Sequence, residues 1–104
     1  MTKERKQSVL DEAKVIIYGD REKTYGKPSK NLETIGKMWG AYINNSVGNV
    51  FDENGELIEF IFDPKDVAIM MVLLKAARLA NDQSHRDSVV DICGYAALVE
   101  RCDE

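Results

Sequence analysis

Apolar side chains recur at helical spacing in four stretches of the chain, which polar or glycine-containing segments separate. Residues three and four positions apart fall on one side of an α-helix, so each stretch predicts a helix with one apolar stripe. The predicted helices cover residues 2–18, Pro28 to Ile43, Pro64 to Ala80 and Ser84 to Val99. The pattern therefore predicts an all-α, four-helix bundle-like fold.

The ends of these predicted helices carry residues that suit them. Gly19 is expected to end the first helix, and Ser29 to cap the free N–H groups at the start of the second. Asp63 precedes Pro64, the order expected of a cap followed by the first helical residue of the third helix. Ser84 is expected to cap the last helix, so each helix has a predicted boundary.

A small β-hairpin is predicted between the second and third helices. The helical periodicity is lost over residues 44–62, and Asn54-Gly55 is a strong turn signal between two apolar segments. These segments are Val50-Phe51 and Leu57 to Phe60. An isolated hairpin is only marginally stable in water, so this one is expected to dock on the helices.

Two glycines lie four residues apart inside the second predicted helix. Gly36 and Gly40 each cost about 0.5–1 kcal/mol relative to alanine in such a position. Close approach of another backbone would compensate for that cost. The pair therefore predicts tight helix packing at this point.

The third predicted helix is apolar on nearly every side, and only Lys75 and Arg78 interrupt it after Val67. A helix of this kind belongs at the centre of a bundle or in an interface between subunits. We therefore expect a homo-oligomer. The short link of residues 81–84 predicts that the last two helices pack antiparallel.

Length, charge, hydropathy and cysteine count exclude several further classes of protein. With 104 residues the chain suits one domain over residues 1–104, and its net charge of −4 disfavours direct DNA binding. The longest apolar stretch, Val67 to Leu74, is too short to cross a membrane. We expect Cys93 and Cys102 to be reduced thiols, as in a cytoplasmic protein. Together with the single His85 they provide too few ligands for a structural zinc site.

The last predicted helix carries two carboxylates four residues apart. Asp87 and Asp91 fall on one side of that helix, with Tyr95 one turn further on. Two carboxylates can share a Mg²⁺ ion, which prefers oxygen ligands and often completes its shell with substrate phosphates. Asp87 is equally explained by its place in the first helical turn, where an acid interacts favourably with the helix dipole.

Lys75 and Arg78 are neighbours on the third predicted helix, and cations in an apolar setting need a counter-charge. Either Asp87 or Asp91 could supply it, which would make a structural salt-bridge network. A ligand phosphate could also supply it, which would make a binding site. Spacing alone favours the structural network, and both interpretations stay open.

The remaining polar and aromatic residues suggest a pocket rather than a catalytic nucleophile. Tyr25, Asn31 and Tyr95 are the residues we expect to shape a pocket for a base or sugar, whereas Trp39 has the spacing of a core residue. His85 has the position of a surface residue. No common nucleophile or Gly-rich phosphate motif is present, so the catalytic residues are left unassigned.

Three segments together resemble known proteins: Tyr25-Gly26 followed by Trp39, Leu74 to Leu79, and above all Asp87 to Ala96. They resemble a set of small phage and prophage proteins and the nucleotide-modification-associated domain of phages. That domain is similar in turn to the MazG-like, all-α nucleotide pyrophosphohydrolases. The resemblance spans residues 18–100.

The resemblance implies an all-α MazG-like core, a dimeric or tetrameric state and a nucleotide-like ligand. Asp87 and Asp91 would correspond to the second acidic half of the MazG-like metal site. Those enzymes also carry a Glu-Glu-x-x-Glu motif on the preceding helix, where this chain has Lys75 and Arg78. Half of the usual Mg²⁺ cage is therefore absent, while contact of both cations with phosphate stays open.

Two functions follow from these expectations. The first is a protein that binds a nucleotide phosphate, with Lys75 and Arg78 on the phosphate, and that acts as a Mg²⁺-dependent pyrophosphohydrolase if Asp87 and Asp91 hold the metal. The second is a non-enzymatic helical module for oligomerisation or protein interaction, in which the same four residues form a structural ionic network.

Overall fold

A computed structural model describes residues 8–20 and 27–103, and its fold is all-α with one small hairpin. The elements, in chain order, are α1 (Val9–Val15), a π-helical turn (Ile16–Asp20), α2 (Pro28–Val47), β1 (Val50–Phe51), β2 (Leu57–Ile58), α3 (Pro64–Asn81) and α4 (Arg86–Arg101). The predicted fold class is confirmed. Tyr25 and residues 2–7 of the predicted first helix lie outside the described residues.

The first helix begins at a serine cap and runs past the predicted end. The Ser8 side chain accepts a hydrogen bond from the backbone N–H of Asp11 at 3.0 Å, which satisfies one of the free donors of the first turn. Gly19 does not stop the helix, because the chain continues through the wider π-helical turn to Asp20. The predicted stop was wrong because one glycine only weakens a helix.

The capping residues of α2 and α4 differ from the prediction, while α2 begins at Pro28 as predicted. Lys27 rather than Ser29 is the N-cap of α2, since Pro28 occupies the first helical position, where it needs no N–H. His85 rather than Ser84 caps α4. Ser84 instead takes part in the preceding turn, where its N–H and hydroxyl both bond the Asp82 carboxylate.

The start of α3 follows the prediction. Asp63 is the N-cap and Pro64 the first helical residue. The Asp66 carboxylate accepts a hydrogen bond from the Asp63 N–H at 3.1 Å, which places a negative charge beside the N-terminal end of the helix dipole.

The hairpin lies where the sequence places it, with a wider connection than a two-residue turn. The antiparallel strands pair Val50 with Ile58 and Phe51 with Leu57. The five residues between the strands fold around Asp52, whose carboxylate accepts N–H bonds from residues 54 and 56 at 2.8 and 2.9 Å. Gly55 has φ +78°, a conformation that glycine adopts without strain.

Both glycines of α2 lie against the backbone of the segment that precedes α3. A Cβ atom at Gly36 would overlap the carbonyl oxygen of Phe62, and one at Gly40 would overlap that of Phe60. Asn44, one turn further along α2, accepts a hydrogen bond from the Phe60 N–H at 2.9 Å. The predicted close approach of another backbone is confirmed. That backbone belongs to the segment before α3, and at Gly36 the Val67 side chain of α3 also lies close.

The core lies where α2, α3 and α4 meet the π-helical turn. Its buried members are Ile17, Leu32, Val67, Ala68 and Leu98. The helices α3 and α4 pack antiparallel, as predicted. Two ion pairs join opposite ends of this packing, Lys65 with Asp103 at 2.7 Å and Lys75 with Asp91 at 3.1 Å.

One side of α3 is left uncovered. The helix buries Val67 and Ala68, while Ile69, Leu73 and Leu74 are 48%, 64% and 52% exposed. Within one chain α3 is therefore not at the centre of a bundle, and the predicted interface between subunits stays a prediction.

No helix among residues 8–20 and 27–103 combines the length and hydropathy needed to cross a bilayer.

Candidate functional site

The packing of α3 on α4 brings one predicted cation to one predicted carboxylate. Lys75 Nζ lies 3.1 Å from Asp91 Oδ2. The Lys75 side chain is only 16% exposed and the Asp91 side chain 38%, so the ammonium sits between helices while its partner reaches solvent. Of the two carboxylates predicted as possible counter-charges, Asp91 is the one that pairs with Lys75.

The other two members of the predicted set stay at the surface. Arg78, one turn after Lys75, is exposed, and Asp87 is exposed in the first turn of α4. No ion pair involving either side chain occurs within the described part of the chain. Arg78 therefore presents its guanidinium to solvent. We call the four residues Lys75, Arg78, Asp87 and Asp91 the polar edge.

A small cavity lies directly beside the polar edge. It is lined by Ala13, Ile16, Ile17, Val90, Asp91, Gly94, Tyr95 and Leu98, and has a volume of about 40 Å³. Since one water needs roughly 10–15 Å³ measured in this way, the cavity has room for about three waters and is too small for a nucleoside. A base or sugar would therefore contact Tyr95 from outside the cavity.

The three residues expected to form a base or sugar pocket are not gathered by the described structure. Tyr95 is half-buried and lines the cavity beside Asp91. Asn31 is half-buried in the first turn of α2 and does not line that cavity. Tyr25 lies outside the described residues.

The carboxylates of the polar edge do not belong to a larger group of metal ligands. Among residues 8–20 and 27–103, no three histidine, cysteine or acidic side chains lie close enough together to hold a metal ion. Asp91 also has a lysine ammonium at 3.1 Å, which competes with a metal cation for its oxygens. One or two carboxylates suffice for Mg²⁺ only when ligand phosphates and water complete its shell.

His85 has a structural role that its sequence position did not reveal. Its ring Nδ1 lies 2.6 Å from the Ser88 hydroxyl and 3.3 Å from the Ser88 backbone N–H. Ser88 is fully buried, so the imidazole accepts a hydrogen bond from a backbone N–H that has no access to water. The ring thus caps α4 in place of the shorter side chain of Ser84.

Sequence reasoning missed a buried arginine at the far end of α4. Arg101 is 8% exposed, donates to the Ile17 carbonyl at 3.1 Å, and lies with its guanidinium carbon 4.4 Å from the centre of the Tyr18 ring. Its position three residues after the buried Leu98 places it on the apolar side of α4, which was the available signal. It joins α4 to the π-helical turn, a feature often found near functional sites.

A second missed contact ties α1 to the start of α4. Arg86 forms an ion pair with Glu12, and both side chains are about one-third exposed. Together with the Arg101 contacts, it holds α1 and the π-helical turn against the two ends of α4, on either side of the cavity beside Asp91. No sequence signal connected residues this far apart in the chain.

A family model, described as a domain of unknown function (DUF6378), matches residues 8–103. The chain belongs to the DUF6378 family. It is similar to the Gene 55 protein of Mycobacterium phage L5, with 42% identity over 94 residues that cover 90% of this chain and 51% of the relative. The Gene 55 protein of Mycobacterium phage D29 is 35% identical over 98 residues, which cover 94% of this chain and 55% of the relative.

These matches confirm the predicted similarity to phage proteins at the level of the DUF6378 family. The chain spans about half the length of the curated relatives it matches. No solved structure matches it significantly. The relation of DUF6378 to MazG-like proteins stays a prediction, because neither the family description nor the names of these relatives mention it.

Proposed function

We propose that this DUF6378 protein binds the phosphate group of a nucleotide or nucleotide-like ligand at the polar edge of α3 and α4. The observation that carries the proposal is Arg78, an exposed guanidinium without an ion pair among the described residues and one turn from the half-buried Lys75. A guanidinium matches phosphate with two parallel N–H donors, and it keeps its charge at every physiological pH.

The other members of the polar edge have distinct roles in this proposal. Lys75 stays close to Asp91 and adds positive potential next to Arg78. Asp87 and Asp91 would hold Mg²⁺ together with the ligand's phosphate oxygens, and bound Mg²⁺ would supply charge neutralisation and an activated water. Tyr95, one turn after Asp91, is the described residue best placed to contact the sugar or base, and Asn31 and Tyr25 are further candidates.

Ligand binding is tested by a thermal-shift screen of the whole chain against ribo- and deoxynucleotide mono-, di- and triphosphates, with and without Mg²⁺. A ligand that binds only the folded state raises the melting temperature. We expect at least one nucleotide to do so, and Arg78→Gln to weaken its affinity at least tenfold, since hydrogen bonds to charged groups contribute about 1.5–3 kcal/mol. Titration calorimetry then measures the affinity.

The matched control is Lys37→Gln on α2, where a cation 71% exposed pairs with Glu33 far along the chain from the polar edge. This variant should bind as the natural chain does. An equal loss in both variants would point to non-specific attraction and contradict the site. The absence of any nucleotide-induced shift would overturn the proposal, and a pyrophosphate-release assay separates binding from turnover.

A second candidate function is favoured by the short distance between Lys75 and Asp91. In that case the ion pair is structural, and the chain is a non-enzymatic interaction module. Removal of one partner from a fully buried pair costs about 3–5 kcal/mol, but Asp91 is 38% exposed and solvent screens the charge. We therefore expect Asp91→Asn to lower the free energy of unfolding by only about 1–2 kcal/mol.

A double-mutant cycle measures how far the pair itself contributes. Urea unfolding of the natural chain, Lys75→Met, Asp91→Asn and the double variant should give a coupling energy of about 1 kcal/mol if the pair is structural. A coupling near zero, together with nucleotide binding that Asp91→Asn abolishes, would reject the structural interpretation in favour of the ligand site.

A further inference from the structure

The uncovered side of α3 forms a continuous apolar strip. It consists of Ile69, Met70, Leu73, Leu74, Ala76, Ala77 and Ala80, which we call the α3 strip. Six of these seven side chains are exposed, and Met70 is half-buried. No charged residue is a member of this strip: Lys75 points to another side of the helix, and Arg78 lies at the edge of the strip, one turn beyond Leu74.

The strip is continued by a groove toward α2. Trp39 forms one side of this groove, and Met70, Met71, Leu73 and Leu74 form the other, with a volume of about 490 Å³. All five lining residues are apolar. Contiguous exposed apolar surface of this kind marks an interaction site on a soluble protein, because its hydration is unfavourable.

The order of large and small residues along the strip indicates which partner binds to it. The N-terminal half carries Ile69, Met70 and Leu73, and the C-terminal half carries Ala76, Ala77 and Ala80. If a second α3 lies antiparallel with Leu73 at the crossing point, Ile69 of one copy faces Ala77 of the other, and Met70 faces Ala76. Ile69 and Met70 then meet alanines, and Leu73 meets its own copy at the crossing point, whereas parallel pairing would oppose Ile69 to Ile69 and Met70 to Met70.

From this self-complementary arrangement we propose that the α3 strip binds a second copy of this chain, forming a two-fold dimer in which the α3 helices cross antiparallel at Leu73. Antiparallel helices also place opposite ends of their dipoles side by side. A two-fold interface uses the same surface on both copies, as this strip does. The dimer rests on different residues from the proposed phosphate site, so either proposal can fail without the other.

Light scattering coupled to size-exclusion chromatography tests the association. We expect a mass of twice the 11.7 kDa of one chain. Leu73→Glu should give a monomer, because it places two carboxylates against each other at the crossing point. Leu10→Glu is the matched control, since Leu10 is 70% exposed on α1 and Leu73 is 64% exposed on α3. A monomeric natural chain, or a dimer unaffected by Leu73→Glu, overturns the proposal.

Single cysteine substitutions test the direction of the pairing. The axes of packed helices lie roughly 8–10 Å apart, which brings facing Cα atoms at the crossing within reach of a disulfide. Under mild oxidation Leu73→Cys should give a covalent dimer, and Ile69→Cys should not link to itself but should link to Ala77→Cys in a mixture. The natural chain controls for Cys93 and Cys102. Self-linkage of Ile69→Cys would overturn the antiparallel arrangement.

Discussion

Replacement of Gly40 by alanine is expected to lower the free energy of unfolding by about 2 kcal/mol. The new methyl group would overlap the carbonyl oxygen of Phe60, which is backbone and cannot rotate away as a side chain could. Phe60 is also held in place by its N–H bond to Asn44. Overpacking of this kind costs about 1–3 kcal/mol and at times more, and the better helix propensity of alanine returns at most about 1 kcal/mol.

Gly94→Ala is the matched control for this experiment. It makes the same change inside a helix, but the added Cβ would lie 3.7 Å from Ile17 side-chain atoms, an ordinary van der Waals distance. We expect Gly94→Ala to be neutral or to stabilise by up to about 1 kcal/mol. Urea unfolding followed by circular dichroism measures both. Equal stabilities of the two variants would show that the segment from residue 60 to residue 62 does not lie against α2 as described.

Replacement of Leu32 by alanine is expected to cost about 3 kcal/mol. Leu32 has no exposed surface and packs in the core cluster with Ile17, Val67 and Leu98, so truncation leaves a cavity that these neighbours fill only in part. Buried leucine-to-alanine changes cost about 2–5 kcal/mol for this reason. The cluster joins three helices to the π-helical turn, so we expect a single cooperative loss of helix.

Leu10→Ala is the control for the core substitution, since Leu10 is 70% exposed and its truncation should change the stability by no more than about 0.5 kcal/mol. Both variants should be unfolded at two protein concentrations, because the proposed dimerisation would add a concentration-dependent contribution to apparent stability. A loss below about 1 kcal/mol for Leu32→Ala would mean that α2 does not pack on the described core.

Much of the secondary structure was predictable because its determinants are local in the chain. The apolar spacing identified four helices, Asn54-Gly55 located the hairpin, and Asp63 with Pro64 marked the start of α3. The errors were also local. A proline at the first helical position moved the cap from Ser29 to Lys27, and an imidazole ring reached the free N–H groups of α4 in place of Ser84.

The candidate site was predictable only as a set of residue types. Two cations on an apolar helix required a counter-charge, and carboxylates spaced four apart on the next helix could supply it. Which carboxylate meets which cation depends on the offset between α3 and α4. That offset comes from side-chain packing along the whole helix pair. It places Asp91 beside Lys75 in an ion pair, while Arg78 and Asp87 stay exposed.

By itself, the sequence determined the all-α class, the order of the helices, the hairpin and the need of Gly36 for a close neighbour, because periodicity, capping and steric size act within a few residues. Only the tertiary structure decided that this neighbour is the backbone of Phe62, that Arg101 is buried against the π-helical turn, and that one side of α3 is uncovered. These features depend on contacts between segments far apart in the chain, whose strength is set by the complete packing arrangement.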